Sequence, residues 1–248
     1  MSRIVRTATL LVVPTKEEIA LCLTNELQNR SIEHVALSGG SLPSLLQMKP
    51  EWQWHIYLAD ERCVPSTRPD SNLGALFAAN CLQHIPPDHI HGINEELLED
   101  PHACAQDYQQ LLQQHLFLQQ RGLDLAVLGF GEDGHTCSLF PHHSLLHSPN
   151  HVAAILDSPK PPPHRITLTL KALAETQHVI FVGAGSAKAP VLRQVFEQQV
   201  QWEETDSESI SVRRATVQMR DPAPFPCGAV TAQQSVTWIV DAEAAAQL

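Results

Sequence analysis

The chain has 248 residues, 43% of them hydrophobic, which is enough to bury a sizeable core as a single domain over residues 1–248. Its 16 Lys and Arg residues against 27 Asp and Glu residues give a formal net charge of −11. This charge argues against nucleic acid and anionic membrane as partners, because both bind through basic surfaces. A small anion would need a local cluster of cations and backbone N–H groups.

Compartment and metal content are indicated by the N-terminal sequence and the cysteines. Residues 1–20 lack the order of basic, apolar and small residues that marks an export signal, and no apolar run approaches the roughly 20 residues of a membrane helix. Six cysteines could form disulfides, but their wide spacing in or beside apolar stretches favours free thiols in a reducing compartment. No Cys or His pair has the spacing of zinc ligands. We therefore expect a cytoplasmic protein that binds no metal.

Short β-branched runs alternate along the chain with longer segments of helical spacing. Buried strands are predicted at 8–13, 34–37, 55–58, 123–128, 166–170, 179–182 and 236–240. Helices are predicted at 16–29, 71–83, 101–120, 187–199 and 242–247. Between 201 and 211, the acidic residues Glu203, Glu204, Asp206 and Glu208 predict a solvated surface excursion. The alternation predicts a three-layer α/β fold with a largely parallel sheet, in which functional groups follow the carboxyl ends of the strands.

Two adjacent glycines follow the predicted strand 34–37, in the sequence Ser38-Gly39-Gly40-Ser41. Glycines let the backbone turn sharply and expose its N–H groups, and a helix start would add a positive dipole end, so this segment is a candidate phosphate site. An ordinary tight turn remains the alternative. The spacing is neither GxxxxGK[ST] nor GxGxxG, so no nucleotide or other cofactor is expected.

Three charged residues, Asp60, Glu61 and Arg62, follow the predicted strand 55–58. A folded protein normally avoids such a concentration of charge at the end of a buried strand unless the charges are paired or used. The triplet either forms an internal ion pair between loops or lines a polar pocket, and both interpretations stay open.

A glycine-rich loop with one histidine follows the predicted strand 123–128, in the sequence GFGEDGHTCSLFP at 129–141. Its glycines indicate a backbone that approaches a ligand closely and presents His135 to it. Asp133 could orient the imidazole through a hydrogen bond, which favours a general base over the alternative of a structural histidine.

Two later segments carry candidate cations. The proline-rich stretch 158–165 fixes the direction of Lys160 and Arg165, although an edge connector with solvated charges is an equal alternative. A glycine turn at 183–185 opens the helical segment that contains Lys188. A cation at that end opposes the helix dipole, which suggests an anionic ligand.

Together, LSGGS at 37–41, DERCVP and DSN within 60–72, the 129–141 loop, SPKPPPHRITLTL at 158–170 and GAGSAKA at 183–189 resemble the glucosamine-6-phosphate deaminase/6-phosphogluconolactonase family. The chain is most similar to the lactonases of that family, and the resemblance runs in order over residues 30–195. It implies a modified Rossmann-like fold, similar to ribose-5-phosphate isomerase and the deaminase, with a small second lobe. The charged stretch 203–220 matches no motif of the family.

The resemblance also implies a function and residue roles. The expected reaction is hydrolysis of a phosphorylated sugar lactone, 6-phospho-D-glucono-1,5-lactone, without metal or cofactor, by a monomer or weak dimer. The implied catalytic residues are His135 as the base, with Asp133 and Asp60. The implied substrate and phosphate ligands are Ser38, Gly39, Gly40, Ser41, Glu61, Arg62, Arg165 and Lys188.

Position 140 distinguishes the two branches of the family in this resemblance. The deaminases have a Glu where this chain has Phe140. A carboxylate replaced by an aromatic ring leaves one acid/base group fewer, whereas lactone hydrolysis needs only one base to activate water. A sugar-phosphate isomerase or deaminase, and a catalytically silent sugar-phosphate sensor, are the alternatives.

Overall fold

The computed structural model describes residues 6–28, 30–49, 51–116, 122–197, 200–203 and 212–248. The strands in this part of the chain are β1 (Thr7–Val13), β2 (His34–Leu37), β3 (His55–Leu58), β4 (Asp60–Arg62), β5 (Ile90–His91), β6 (Leu125–Leu128), β7 (Val152–Ile155), β8 (Arg165–Leu168), β9 (His178–Gly183), β10 (Gln201–Trp202), β11 (Arg213–Gln218) and β12 (Ser235–Asp241). The helices are α1 (Lys16–Gln28), α2 (Asn72–Ala78), α3 (Pro101–His115), α4 (Leu170–Ala174), α5 (Ala189–Val195) and α6 (Pro226–Ala229).

The larger sheet has nine strands in the order β10-β11-β1-β12-β9-β6-β2-β3-β5. The seven strands from β1 to β5 in this order are parallel, β11 is antiparallel to β1, and β10 is antiparallel to β11. Every residue of β2 and of β6 is buried, as expected for apolar strands covered on both faces. The predicted α/β fold with a largely parallel sheet is confirmed.

A smaller antiparallel sheet is formed by β4, β8 and β7. A single residue, Ala59, separates β3 from β4, so the chain passes directly from the larger sheet into the smaller one. Helix α3 packs against β7 and β8. This sheet corresponds to the small second lobe, and it brings residues from β4 and β8 to the carboxyl end of β3.

An aromatic cluster in the core fixes the loop after β6. Phe181 of β9 and Trp238 of β12 stack with their ring centroids 4.1 Å apart, and Phe130 packs edge-on against Trp238 at 5.1 Å. Phe130 is the second residue after β6, and it is buried. Such contacts between large rings stabilise the core and here also hold the start of the glycine-rich loop in place.

Some predicted elements differ from the structure. Residues 242–247 form turns and not the predicted helix, and Asp241 accepts a hydrogen bond from Ala244 N within them (2.8 Å). Strand β11 was not predicted, because only alternate residues of this polar segment, Ala215 and Val217, are buried. Residues 117–120 of the third predicted helix, and Glu204, Asp206 and Glu208, lie outside the described residues.

None of the helices in the described ranges combines the length and the apolar character needed to cross a bilayer.

Candidate active site

A cavity of about 420 Å³ is lined by the segments that follow β2, β3, β6 and β9, and by residues of β8 and of the connection that precedes it. The first four of these strands are neighbours in the larger sheet, in the order β9-β6-β2-β3, so their carboxyl ends lie side by side. A crevice outside the carboxyl ends of parallel strands is where α/β sheets bind ligands. The volume is in the range of small-molecule sites.

The cavity is locally cationic although the chain is acidic. Four cationic side chains line it, those of Arg62, Lys160, Arg165 and Lys188, against the two carboxylates of Asp60 and Glu132. Since opposite charge at close range outweighs a screened distant field, this lining suits a small anion.

The turn after β2 presents free backbone donors. Ser38 N donates to Val127 O (3.1 Å), which ties the turn to β6. Among the described residues, the N–H groups of Gly39, Gly40 and Ser41 have no hydrogen-bond acceptor. Gly40 has φ +66°, a conformation that favours glycine. The buried Ser38 Oγ likewise has no hydrogen-bond partner in the described part of the chain. The predicted phosphate site is thus a set of unpaired donors at the cavity wall.

The helical stretch expected after Ser41 is a single 3-10 turn, Leu42–Ser44, so a helix dipole contributes little here. Gly39 is required for a reason that the sequence does not show. The carboxamide of Asn72 occupies the space that a Cβ at Gly39 would fill, and Asn72 Nδ2 donates to Asp60 O (2.8 Å).

His135 is oriented by contacts at one ring nitrogen. Its Nδ1 lies 2.5 Å from Asp133 Oδ1 and 3.2 Å from Lys160 Nζ, and Lys160 Nζ lies 3.3 Å from Asp133 Oδ2. Because Asp133 is an acceptor, Nδ1 carries the proton that the two share. Nε2 has no protein partner among the described residues, so it can accept a proton from water.

Burial lowers the pKa of His135, and the charge of Lys160 lowers it further, whereas the hydrogen bond and the charge of Asp133 oppose this change. Burial also opposes ionisation of Asp133, but the hydrogen bond and charge of His135, together with Lys160, outweigh it and lower the pKa of Asp133 to about 2. At neutral pH the site therefore holds a neutral imidazole beside a carboxylate, which is the pairing of a general base.

The glycines of the 129–135 loop make room for its own side chains as well as for a ligand. A Cβ at Gly131 would overlap His135 Nδ1 and Asp133 Oδ1, whereas a Cβ at Gly129 would meet no atom within 4 Å. Gly134 has φ +77° and packs against the ring of Phe225. The expectation of close backbone approach to a ligand fits Gly129, and the other two glycines serve the geometry of His135.

Asp60 lies in a hydrogen-bonded network at the cavity wall. Its Oδ2 accepts from Ser138 Oγ (2.7 Å), and Ser138 Oγ in turn accepts from Arg165 Nη1 (3.3 Å). Asp60 and Ser138 are buried, so their polar atoms need these partners. The network joins the loop after β6 to both β4 and β8.

Of the four cationic side chains that line the cavity, those of Arg62 and Lys188 donate the fewest hydrogen bonds to the described part of the protein. Arg62 Nη1 donates to Asp70 O (2.6 Å), while the buried Arg62 Nε has no hydrogen-bond partner within the described ranges. Lys188 Nζ donates to Phe130 O (2.6 Å), and burial lowers the pKa of Lys188. An ammonium has three N–H donors and a guanidinium five, so both side chains keep donors for a ligand.

Glu61 does not line the cavity, which differs from the expectation that it binds substrate. Its Oε1 accepts from the backbone N of Arg62 (2.7 Å) and Asn72 (2.8 Å), and its Oε2 accepts from Leu73 N (2.9 Å) and Ser71 Oγ (3.0 Å). Burial raises the pKa of Glu61 against the effect of these donors. Glu61 therefore holds the start of α2, which carries Asn72.

The predicted site residues that line the cavity are Ser38, Gly39, Gly40, Ser41, Asp60, Arg62, His135, Arg165 and Lys188. Asp133 contacts His135 on its Nδ1 side. Lys160 was predicted only as a cation of the proline-rich stretch, without a contact to the base, and Asn72 and Ser138 were not selected, although all three residues lie inside the quoted motifs. In the described part of the chain, no group of three or more His, Cys, Asp and Glu side chains is arranged to hold a metal ion.

A family model described as glucosamine-6-phosphate isomerases/6-phosphogluconolactonase matches residues 6–238. The chain belongs to this family. It is 39% identical to the probable 6-phosphogluconolactonase of Schizosaccharomyces pombe, over 69% of this chain and 74% of that protein. It is also 39% identical to the 6-phosphogluconolactonase of Rattus norvegicus, over 74% of this chain and 75% of that protein. The 6-phosphogluconolactonase from Trypanosoma cruzi shares its fold, with a TM-score of 0.75, 23% identity and 97% of both chains covered.

Phe140 bears on which activity of the glucosamine-6-phosphate isomerase/6-phosphogluconolactonase family this site can support. Its buried ring stacks on His135 with centroids 4.9 Å apart and an interplanar angle of 26°. Arg165 Cζ lies 5.9 Å from the centroid of the same ring. The face of His135 that a carboxylate at position 140 would approach is therefore apolar, and His135 is the one imidazole among the described residues that line the cavity.

Proposed function

We propose that this protein hydrolyses 6-phospho-D-glucono-1,5-lactone to 6-phospho-D-gluconate, the second step of the oxidative pentose phosphate pathway. The observation that carries this proposal is a single imidazole base, backed by a carboxylate, at the wall of a cationic cavity in a member of this family. The relatives named as lactonases support the same reaction.

In the proposed reaction, neutral His135 takes a proton at Nε2 from a water molecule whose oxygen adds to the lactone carbonyl carbon. Asp133 keeps the Nδ1–H in place and stabilises the imidazolium that forms. The bond between that carbon and the ring oxygen then breaks, the ring oxygen takes the proton from the imidazolium of His135, and an open-chain carboxylic acid and a neutral imidazole result. Cations and free N–H groups at the cavity wall stabilise the transient oxyanion.

The phosphate is assigned to groups that keep at least one N–H donor free of partners in the described part of the chain. These are the N–H groups of Gly39, Gly40 and Ser41, the ammonium of Lys188 and the guanidinium of Arg62. Backbone N–H groups and charge-assisted hydrogen bonds bind phosphate at short range, which is required in a protein of net charge −11.

An isomerase or deaminase needs a second acid/base group, and the apolar ring of Phe140 stands beside His135 instead. A silent sensor would need no oriented base, yet Asp133 and His135 are paired. Both alternatives are therefore disfavoured.

The state of the cysteines bears on the compartment in which the enzyme works. All six cysteines are free thiols, which supports a cytoplasmic location. We propose a single domain that acts as a monomer or weak dimer, with the phosphorylated lactone as its ligand and with no metal, cofactor, nucleic acid or membrane.

Hydrolysis of phosphorylated and unphosphorylated glucono-lactone by the wild type and Lys188→Ala tests this proposal. We expect Lys188→Ala to lower kcat/KM for the phosphorylated lactone by about 1.5 to 3 kcal/mol, the range for a charge-assisted hydrogen bond, with little effect on the other substrate. Lys171→Ala, outside the cavity, is the control. Equal damage to both substrates would mean that Lys188 acts only through its contact with Phe130. Release of ammonia from glucosamine 6-phosphate without lactone hydrolysis would replace the proposal by the deaminase.

A further inference from the structure

Arg165 is 3% exposed, and most of its hydrogen-bonding capacity is used within the protein. Nε donates to Pro162 O (2.9 Å), Nη2 donates to Lys160 O (2.6 Å) and to Pro161 O (3.1 Å), and Nη1 donates to Ser138 Oγ (3.3 Å). A guanidinium has five N–H donors, so one remains. Arg165 cannot present the two-pronged fork that arginine offers to a phosphate.

Three of these four contacts reach consecutive carbonyl groups of one loop, 158–163, which connects β7 to β8. Ser158 Oγ also donates to Lys160 O (2.8 Å). The carbonyl of Lys160 therefore accepts two hydrogen bonds, and the loop is held from the side of β8. Fixing a connector that has no regular secondary structure costs conformational entropy, and hydrogen bonds such as these offset that cost.

The residue that this loop presents to the site is Lys160. Its side chain is 47% exposed, and its ammonium lies within 3.3 Å of both Asp133 Oδ2 and His135 Nδ1. Holding a long, half-exposed lysine side chain in one geometry costs side-chain entropy. The position of the Lys160 ammonium therefore depends on a fixed backbone.

We propose that Arg165 is a positioning residue that clamps the 158–163 loop, so that the Lys160 ammonium stays against the Asp133–His135 pair and keeps the imidazole neutral. The proposal rests on the proposed function for the role of His135 as a base. It differs from an assignment of Arg165 to the substrate phosphate.

The physical effect of Lys160 on His135 is direct. An ammonium beside an imidazole disfavours a second positive charge, and its pairing with Asp133 weakens the attraction of that carboxylate for an imidazolium. The charge of Asp60 acts on the ring in the opposite direction, and Phe140 covers one face of the ring. Without Lys160, the carboxylates would hold a proton on His135 at higher pH, and less of the base would be free near neutrality.

The test is an NMR titration of the His135 ring in the substrate-free protein, for the wild type, Lys160→Met, Arg165→Met, Arg165→Lys and the double variant Lys160→Met/Arg165→Met. We expect Lys160→Met to raise the pKa of His135 by about one pH unit, the size expected for a unit charge at this distance in a water-like medium. Both Arg165 variants should shift it in the same direction. The double variant should shift it no further than Lys160→Met alone, since both changes remove one interaction. Lys171→Met is the matched control and should leave the titration unchanged.

Three results would overturn the proposal. The first is an unchanged His135 titration in Lys160→Met, and the second is a pair of pKa shifts that add in the double variant. The third is an unchanged titration in Arg165→Lys with KM raised for the phosphorylated lactone alone, which would make Arg165 a phosphate ligand. Arg165→Lys keeps a buried cation, so it serves where Arg165→Met does not fold. Because the titration needs no substrate, the expected shifts in a protein without lactonase activity would refute the proposed function and leave the clamp standing.

Discussion

The position of His135 depends on the absence of a side chain at Gly131. The loop turns back so that Gly131 N donates to His135 O (2.8 Å), and this brings the imidazole and the carboxylate of Asp133 over the glycine Cα. A methyl group at Gly131 would overlap both side chains, although the backbone there needs no left-handed conformation. The glycine therefore serves the placement of the base and not a turn.

Gly131→Ala should consequently lower kcat by roughly 10²-fold, the cost of misplacing a catalytic group by about 1 Å. Circular dichroism and thermal unfolding should show a folded protein. Gly129→Ala is the matched control, because its methyl group enters open space at the cavity wall. It should keep kcat close to wild type and change KM at most. Similar kcat values for Gly131→Ala and Gly129→Ala would show that the contact with Gly131 does not set the position of His135.

The sequence identified site residues that directly follow a predicted strand. It did not identify residues whose role depends on contacts with partners far away in the sequence. His135, Asp133 and the 38–41 turn follow strand ends, where a parallel sheet collects functional groups. Glu61 could not be distinguished from Asp60, because the strand alternation that sends their side chains to opposite sides depends on the pairing of β4 with β8. Lys160 was a candidate cation, but its contact with the base could not be predicted, because that contact requires the loop that Arg165 holds.

Among the secondary-structure elements, apolar strands flanked by helical segments were predictable, whereas very short or polar strands were not. The apolar runs of β2, β3 and β6 are flanked by helical segments and gave a clear pattern. Strands β4 and β5 have three and two residues, too few to show a period. The strand order, and with it the meeting of β4 and β8, comes from long-range packing that a single sequence does not encode locally.

The amino ends of the strands carry a histidine cluster that lies away from the site: His34, His55, His89, His91 and His115, grouped around Tyr57. His55 stacks on His89 with centroids 3.8 Å apart and on His91 at 5.3 Å, and His91 stacks on Tyr57 at 4.6 Å. Glu33 and Asp88 are the nearby carboxylates. Burial first, and then the neighbouring histidines His115 and His55, lower the pKa of His91 from 6.5 to about 4.

This cluster predicts a loss of stability in mild acid. Because the unfolded chain binds a proton at His91 near pH 6.5 and the folded protein only near pH 4, stability is fully present above the first value and falls as pH drops toward the second. The urea midpoint of the wild type should therefore decrease from pH 7.5 to pH 5. His91→Gln keeps a polar group facing His55 and should narrow this difference, whereas the exposed His102→Gln should not. If the urea midpoint of His91→Gln falls between pH 7.5 and pH 5 as much as that of the wild type, the histidine cluster is not the cause of the loss of stability.

For the whole molecule, the distribution of charge explains how an acidic protein can bind an acidic ligand. The net charge of −11 is spread over the chain, while four cations converge on one cavity. Exposed charges farther than a Debye length of about 8 Å are largely screened at physiological salt, so the local contacts dominate binding. Family membership and the cavity together make the phosphorylated lactone the ligand that fits this distribution best.

The assignment of His135 as the base of a lactone hydrolase is tested by lactone hydrolysis in His135→Ala. After subtraction of spontaneous ring opening, we expect a fall in kcat/KM of roughly 10²-fold or more for phosphorylated and unphosphorylated lactone alike, in a protein that remains folded. Turnover close to that of the wild type would place the base elsewhere.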